Sequence, residues 1–258
     1  MKAIDLNADI GEADSPDWAQ AETEILSYIS SANIACGGHA GNPDTMRKTV
    51  QAAKARGIII GAHPSYPDRE NFGRASKRLG IDIDASELKT SLREQILALR
   101  NIAKEEGTDI AYVKPHGALY NDSVIHADTA TLIAEVIKDI DPGLTFMGAP
   151  HSEMGIAAEQ AGLTFIAEGF IDRRYTDDGH LQSRTIEGAV IKDQPTRIAQ
   201  ALSLAMQQKV TTATGRTLDI PARTLCLHGD SAGAVESARL ARDAIEKQGI
   251  FIKAFIHA

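Results

Sequence analysis

The chain has 258 residues, 43% hydrophobic and 24% charged, which is enough apolar material for the core of a single α/β barrel of about 250 residues. A formal net charge of −8 and a pI near 5.5 argue against a nucleic-acid surface, because phosphate neutralisation needs clustered Lys and Arg and the best candidates, Arg173-Arg174 and residues 74–78, are short. No apolar run approaches the ~18 residues of a membrane span, Asp5 interrupts any leader-like start, and two cysteines, Cys36 and Cys226, are too few for a disulfide framework and fit a reducing cytoplasm as small buried hydrophobes.

Residues 1–10 alternate with period two, putting Ile4, Leu6, Ala8 and Ile10 on one face of a strand and Asp5, Asn7 and Asp9 on the other. Three polar side chains in a row are costly to bury alone, so this face is expected to meet water, a metal or a polar site. Gly11 and Glu12 end the strand, and residues 20–30 read as a first helix. A second strand, 31–36, runs into Gly37-Gly38-His39-Ala40-Gly41-Asn42-Pro43, a turn whose glycines let backbone approach a ligand. The amphipathic stretch 44–54 follows, with Asp44 as its expected cap. This is not a phosphate-cradling P-loop, and that pattern occurs nowhere in the chain.

Residues 57–62 form an apolar run of the kind covered on both faces of a parallel sheet, ending at His63. The next loop carries Arg69 and Arg74, positive charge suited to a carboxylate. Residues 86–106 give the longest helical pattern, with Leu88, Leu92, Ile96, Leu99 and Ala103 as its core stripe. A fourth strand at 111–113 is stopped by Pro115 and Gly117 where Lys114 and His116 emerge, a cation that can polarise a carbonyl beside a group that moves protons near neutral pH. A helix at 128–138 and a strand at 144–148 lead to His151, and a sixth strand at 164–168 leads to Asp172-Arg173-Arg174-Tyr175. Residues 170–191 are irregular and are expected to fold as a hairpin over the barrel mouth or to form a partner surface. A helix at 196–208, a polar excursion at 212–219, a seventh strand at 224–227 ending in His228-Gly229-Asp230, a helix at 232–248 and an apolar run at 250–255 complete the chain.

Strands alternate with helices without a break in composition. One β/α-barrel domain of seven or eight strands spanning residues 1–258 is therefore expected, with an open doubly wound sheet as the alternative. Of eight histidines, His39, His63, His116, His151 and His228 fall just after strands, where such folds gather their ligands. A mouth lined by Asp5, Asn7, Asp9, Glu12, His39, His63, Lys114, His116, Glu168, Asp172, His228 and Asp230 suits two chemistries. Either an Asp and two His hold a divalent ion that activates water, or carboxylates and histidines run acid–base hydrolysis of an amide.

The chain closely resembles the LamB/YcsF lactam-utilisation family, the A subunits of 5-oxoprolinase. The stretches Asp5-Leu6-Asn7-Ala8-Asp9-Ile10-Gly11-Glu12, Asn33-Ile34-Ala35-Cys36-Gly37-Gly38-His39-Ala40-Gly41, Gly61-Ala62-His63-Pro64-Ser65-Tyr66-Pro67-Asp68, 113–121 and Leu227-His228-Gly229-Asp230 carry the resemblance; Asn42 stands where an aspartate is expected. It implies a seven-stranded β/α barrel related to glycoside hydrolases and polysaccharide deacetylases, and ATP-dependent opening of 5-oxo-L-proline to L-glutamate together with subunits B and C. The alternatives are a stand-alone metal-dependent amide hydrolase or sugar deacetylase and a non-catalytic binding subunit. On the resemblance, Asp9, His63, Lys114, His116 and Asp230 are the expected catalytic residues, and Asn7, Glu12, Tyr120, Glu168, Asp172, Arg173 and His228 the expected substrate contacts. Asp9, His39 and His63 are the expected ligands of a divalent metal, either a zinc-like ion or the magnesium that accompanies ATP.

Overall fold

Every strand of the main sheet is parallel to its neighbours, and the sheet closes on itself. The structure is a computed structural model that describes residues 2–229 and 233–256. Its elements are β1 (Ala3–Ile10), α1 (Pro16–Ile25), β2 (Ser31–Ala35), α2 (Pro43–Lys54), β3 (Ile59–His63), α3 (Ala85–Glu105), β4 (Tyr112–Val113), α4 (Gly117–Ile125), α5 (Ala127–Ile140), β5 (Thr145–Gly148), α6 (Glu153–Ala161), β6 (Phe165–Phe170), α7 (Gln194–Gln207), β7 (Lys209–Thr211), β8 (Thr217–Asp219), β9 (Thr224–His228), α8 (Ala234–Lys247) and β10 (Phe251–Ile252). The order β1-β2-β3-β4-β5-β6-β9 returns to β1, making a seven-stranded barrel. The eighth strand in the main sheet is not part of the closure. β10 pairs with Ala3 and Ile4 of β1, just below the point where Asp5–Asp9 take up pairing with β9.

The alternation in β1 decides what the barrel contains. Leu6, Ala8 and Ile10 are buried within the hydrophobic core cluster, which also takes in buried residues of the surrounding helices, such as Ile25, Val50, Leu92 and Ile245. Asp5, Asn7 and Asp9 are fully buried and make their contacts with one another's neighbours across the barrel. The expected meeting with a polar site therefore holds, and the polar site is the barrel interior itself. Tyr112 lies inside over Gly61, where any Cβ would overlap its ring, so a glycine is required in the middle of β3.

Several local expectations are corrected. The first helix begins at Pro16, capped by Ser15 and started by a proline at its first position, and ends before residue 30. Asn42, not Asp44, caps α2 through a capping box with Thr45. Helix α4 immediately follows the Lys114–His116 motif, and the 212–219 excursion belongs to an antiparallel hairpin, β7–β8. Among the described residues, no helix is long and apolar enough to cross a membrane.

Candidate active site at the barrel mouth

The interior builds upward in hydrogen-bonded steps. At the bottom, Asp5 accepts from the hydroxyls of Ser30, Ser31 and Thr224. Above it, Asn7 donates to Thr224 Oγ1 (2.6 Å) and Glu168 Oε1 (3.0 Å), and Asn33 donates to both Asn7 Oδ1 and Asp9 Oδ1 (2.7 Å each). Tyr112 closes this layer by donating to Asn33 Oδ1 at 2.6 Å. Each amide thus has a fixed orientation, set by which neighbour must accept.

Lys114 forms the next layer. Its Nζ lies 3.0 Å from Asp9 Oδ1, 2.9 Å from Glu168 Oε1 and 3.1 Å from Cys226 Sγ. Burial opposes its charge, but Asp9, Cys226 and Glu168 hold its pKa well above the ordinary lysine value. Burial likewise works against the Asp9 carboxylate, and His63 and Lys114 nevertheless keep it well below the usual range. Cys226 is buried as expected but is also a polar neighbour of the lysine; burial pushes its thiol well up, so it faces Lys114 as S–H.

A second group, Glu12, His39, His63 and His116, lies beside this layer, all four buried. Gly11 turns the chain with φ 79° directly after β1, and Glu22 from α1 accepts the Gly11 and Glu12 backbone N–H groups at 2.9 and 3.0 Å, which places Glu12. Glu12 Oε1 then lies 2.8 Å from His39 Nε2 and 3.2 Å from His116 Nδ1. His39 and His116 are stacked with centroids 3.6 Å apart, and His63 meets both edge-on. Burial lowers the pKa of His39 to about 3 and also lowers that of His116, while hydrogen bonds from His116 and His39 outweigh burial at Glu12 and keep it ionised. The cluster offers four ligand atoms for a metal ion; a second group, Asp9, Cys226 and His228, offers three.

Above both groups opens a cavity of about 600 Å³. Asp9, His63, Lys114, His116, Tyr120, Glu168, Arg173 and His228 line it, whereas Asn7, Glu12, His39 and Asp172 lie behind its wall. Asp172 holds His228 by accepting from Nδ1 and from the backbone N–H, at 3.0 and 3.1 Å, and His228 keeps the Asp172 pKa down at about 2 against the effect of burial. His151 is exposed in a turn with φ 54° and lines neither the cavity nor a ligand group, so it leaves the set of five mouth histidines. Asp230 lies outside the described residues. The 170–191 segment pairs with itself through Arg173–Val190 and Tyr175–Leu181 bridges, and Gly179 to Thr185 form the cavity's far wall, which is the hairpin over the mouth. Arg69 is not a carboxylate binder at this site, for its guanidinium donates to the Gly37 and Gly41 carbonyls and ties the glycine turn down.

Three atoms in the wall are left over. Tyr120 OH, Glu168 Oε2 and Arg173 Nε are buried without a hydrogen-bond partner among the described residues, although their residues line one cavity. Buried polar atoms are nearly always paired, so three unpaired ones around a single void mark where a ligand's own donors and acceptors belong. Arg74, Arg184 and Gln182 also line the cavity. Only Arg74 had a sequence signal, its place in the basic loop after His63; Arg184 and Gln182 sit in the irregular segment, where no periodicity indicates direction.

The fold and this polar mouth define a seven-stranded β/α-barrel protein with a site at the carboxyl ends of its strands. The chain matches the LamB/YcsF family over residues 4–258, and it belongs to that family. It is 42% identical over 256 residues to the first 5-oxoprolinase A subunit of Agrobacterium fabrum, covering 99% of this chain and 98% of that one. It is 40% identical to the 5-oxoprolinase A subunit of Nocardia farcinica, over 98% of this chain and 99% of that protein. Among solved structures it is similar to the lactam utilization protein of Thermus thermophilus, with a TM-score of 0.88, 38% identity and coverage of 99% and 100% of the two chains. The Xyl-CE4 domain of a termite hindgut xylanase shares the fold at a TM-score of 0.51 and 13% identity, covering 96% of this chain and 86% of that one.

Proposed function

We propose that this chain is the lactam-binding A component of an ATP-dependent 5-oxoprolinase, working in the cytoplasm with subunits B and C to open 5-oxo-L-proline to L-glutamate. The relatives of 40–42% identity carry that designation over nearly their whole length. The observation that carries the reading is the unpaired trio in the cavity wall. 5-Oxoproline presents a carboxylate, a lactam N–H and a lactam carbonyl. Arg173 has a spare donor for the first, Glu168 a spare acceptor for the second, and Tyr120 a spare hydroxyl for the third. Burial, with Arg184 nearby, lowers the Arg173 pKa only to about 10, so it remains a cation at neutral pH.

An amide carbonyl is a poor electrophile, and ATP, with its magnesium, overcomes this by transferring the γ-phosphoryl group to the lactam oxygen, releasing ADP. Water then adds to the activated carbon, the ring C–N bond breaks, the nitrogen takes up a proton and phosphate departs; a second water completes the balance to glutamate. His228 is suited to accept the proton of the attacking water, because Asp172 fixes its Nδ1–H and turns the opposite ring nitrogen away from the carboxylate. Lys114 stabilises negative charge on the reacting oxygen. The absence of a P-loop from the sequence accords with a division of labour among subunits.

The test is glutamate formation from 5-oxoproline and ATP in a cell extract lacking this chain, supplemented with wild type, with Arg173→Ala or with nothing. Wild type is expected to restore activity, and folded Arg173→Ala to raise KM for 5-oxoproline at least 10-fold. No restoration by wild type rejects the reading.

A further inference from the structure

We propose that Glu12, His39, His63 and His116 form a binding site for one divalent transition-metal ion of the zinc class. The far sides of two rings fix where their protons sit. His63 Nδ1 is 2.7 Å from the Lys114 carbonyl oxygen, and His116 Nε2 is 3.0 Å from the Phe72 carbonyl oxygen. A carbonyl oxygen only accepts, so each of those nitrogens carries its ring's proton. The remaining nitrogens, His63 Nε2 and His116 Nδ1, are then both lone pairs, and they point at each other across 3.0 Å. Moving either proton to the near nitrogen sets a lone pair against a carbonyl instead. No arrangement of two neutral imidazoles satisfies all three contacts, and a positive species between them satisfies all of them.

The surroundings choose which species. A shared proton needs two acceptors, but here Glu12 Oε1 also converges, 3.2 Å from His116 Nδ1 and 3.9 Å from His63 Nε2, with His39 Nε2 2.8 Å from the same oxygen. All four atoms lie within 4.8 Å of one another. Ligands about 2.05 Å from a tetrahedral ion stand about 3.3 Å apart, the middle of the observed separations. Three imidazoles and one carboxylate suit zinc, cobalt or nickel better than magnesium or calcium, which prefer oxygen. The two backbone carbonyls supply the outer hydrogen bonds that fix a metal-bound histidine's tautomer. Phe72 holds one of them from a left-handed conformation, φ 54°, that an aromatic residue adopts only at a cost. The assignment differs from the expected Asp9–His39–His63 set: Asp9 Oδ2 is 3.4 Å from His63 Nε2, and its other oxygen is committed to Lys114 and Asn33.

The site does not depend on the lactam reading, and its test uses no turnover. The purified full chain, stripped with chelator, is titrated with Zn²⁺ by calorimetry and with Co²⁺ by visible spectroscopy. One equivalent per chain, with the strong absorption of tetrahedral cobalt, is expected. His39→Ala, whose side chain lies behind the cavity wall, and Glu12→Gln are each expected to weaken Zn²⁺ at least 10-fold, with folding checked by circular dichroism. Failure of the stripped wild-type chain to bind either ion overturns the proposal without any variant. Undiminished binding by both folded variants overturns it equally.

Discussion

Asp5 and Asp9 lie four residues apart on one face of β1, and both are almost wholly buried, 1% and 4% exposed. Their carboxyl groups nonetheless behave oppositely. Burial raises Asp5 to about 6, since its partners are three hydroxyls and its nearest charge, Glu168, repels it. Asp9 meets the same burial but faces His63 and the Lys114 ammonium, and stays ionised far below the ordinary range. The lower layer of the barrel is therefore a neutral hydrogen-bonded plug, and the upper layer is a charged workplace. Depth does not separate them; the partner supplied by β4 does.

The sharpest way to break this contrast is to remove that partner. Lys114→Met leaves Asp9 and Glu168 as buried carboxylates with no cation between them, and truncating one side of a buried ion pair costs about 3–5 kcal/mol. Urea unfolding at pH 7 should show that loss, and adding Glu168→Gln to Lys114→Met should return part of it. A loss under about 1 kcal/mol would mean the upper layer does not depend on Lys114.

Much of this layering was written in residues 3–10, because strict alternation in a barrel strand fixes which side chains point inward. The gathering of His39, His63, His116 and His228 was also legible, since strand ends share one rim. What the sequence hid was relational. Glu22 reads as one more helix glutamate, yet it holds the Glu12 turn. Cys226 reads as a small hydrophobe, and its contact with Lys114 arises only when β9 closes against β1. His151 has the same strand-end position as the true mouth histidines, but its turn carries it outward. Helix α4 was masked by Pro115 and Gly117, and the β7–β8 hairpin by three-residue strands too short to show a period.

The lower layer can be tested by pH. Asp5 has a folded pKa of about 6 against 3.8 unfolded, so between those values the folded state binds the extra proton. Its stabilising contribution is complete below about pH 3.8 and is lost as pH rises through 6, an effect on the order of 3 kcal/mol. Asp9 has the reverse sign, contributing above 3.8 and failing only in stronger acid. Asp5→Asn keeps the shape, and the surrounding hydroxyls can turn to donate or accept. The difference in unfolding free energy between Asp5→Asn and wild type should therefore shift in the variant's favour as pH goes from 4 to 7.5. A difference that stays flat would place Asp5 among ordinary ionised carboxylates.

The smallest expected change in stability concerns the cavity face, where the upper layer meets solvent. Tyr120 OH has no protein partner among the described residues, while its ring packs edge-on against Phe170 at 5.7 Å. A hydroxyl that is buried and unpaired contributes no folding energy, because its desolvation is not offset. Tyr120→Phe keeps the ring contact and should change unfolding free energy by less than about 0.5 kcal/mol, or raise it slightly. If the hydroxyl is reserved for the lactam carbonyl, kcat/KM for 5-oxoproline in the reconstituted system should fall about 10-fold, the worth of one neutral hydrogen bond. A marked loss of stability with unchanged kinetics would show that the hydroxyl serves the fold, and would move the boundary between plug and workplace up to the cavity wall.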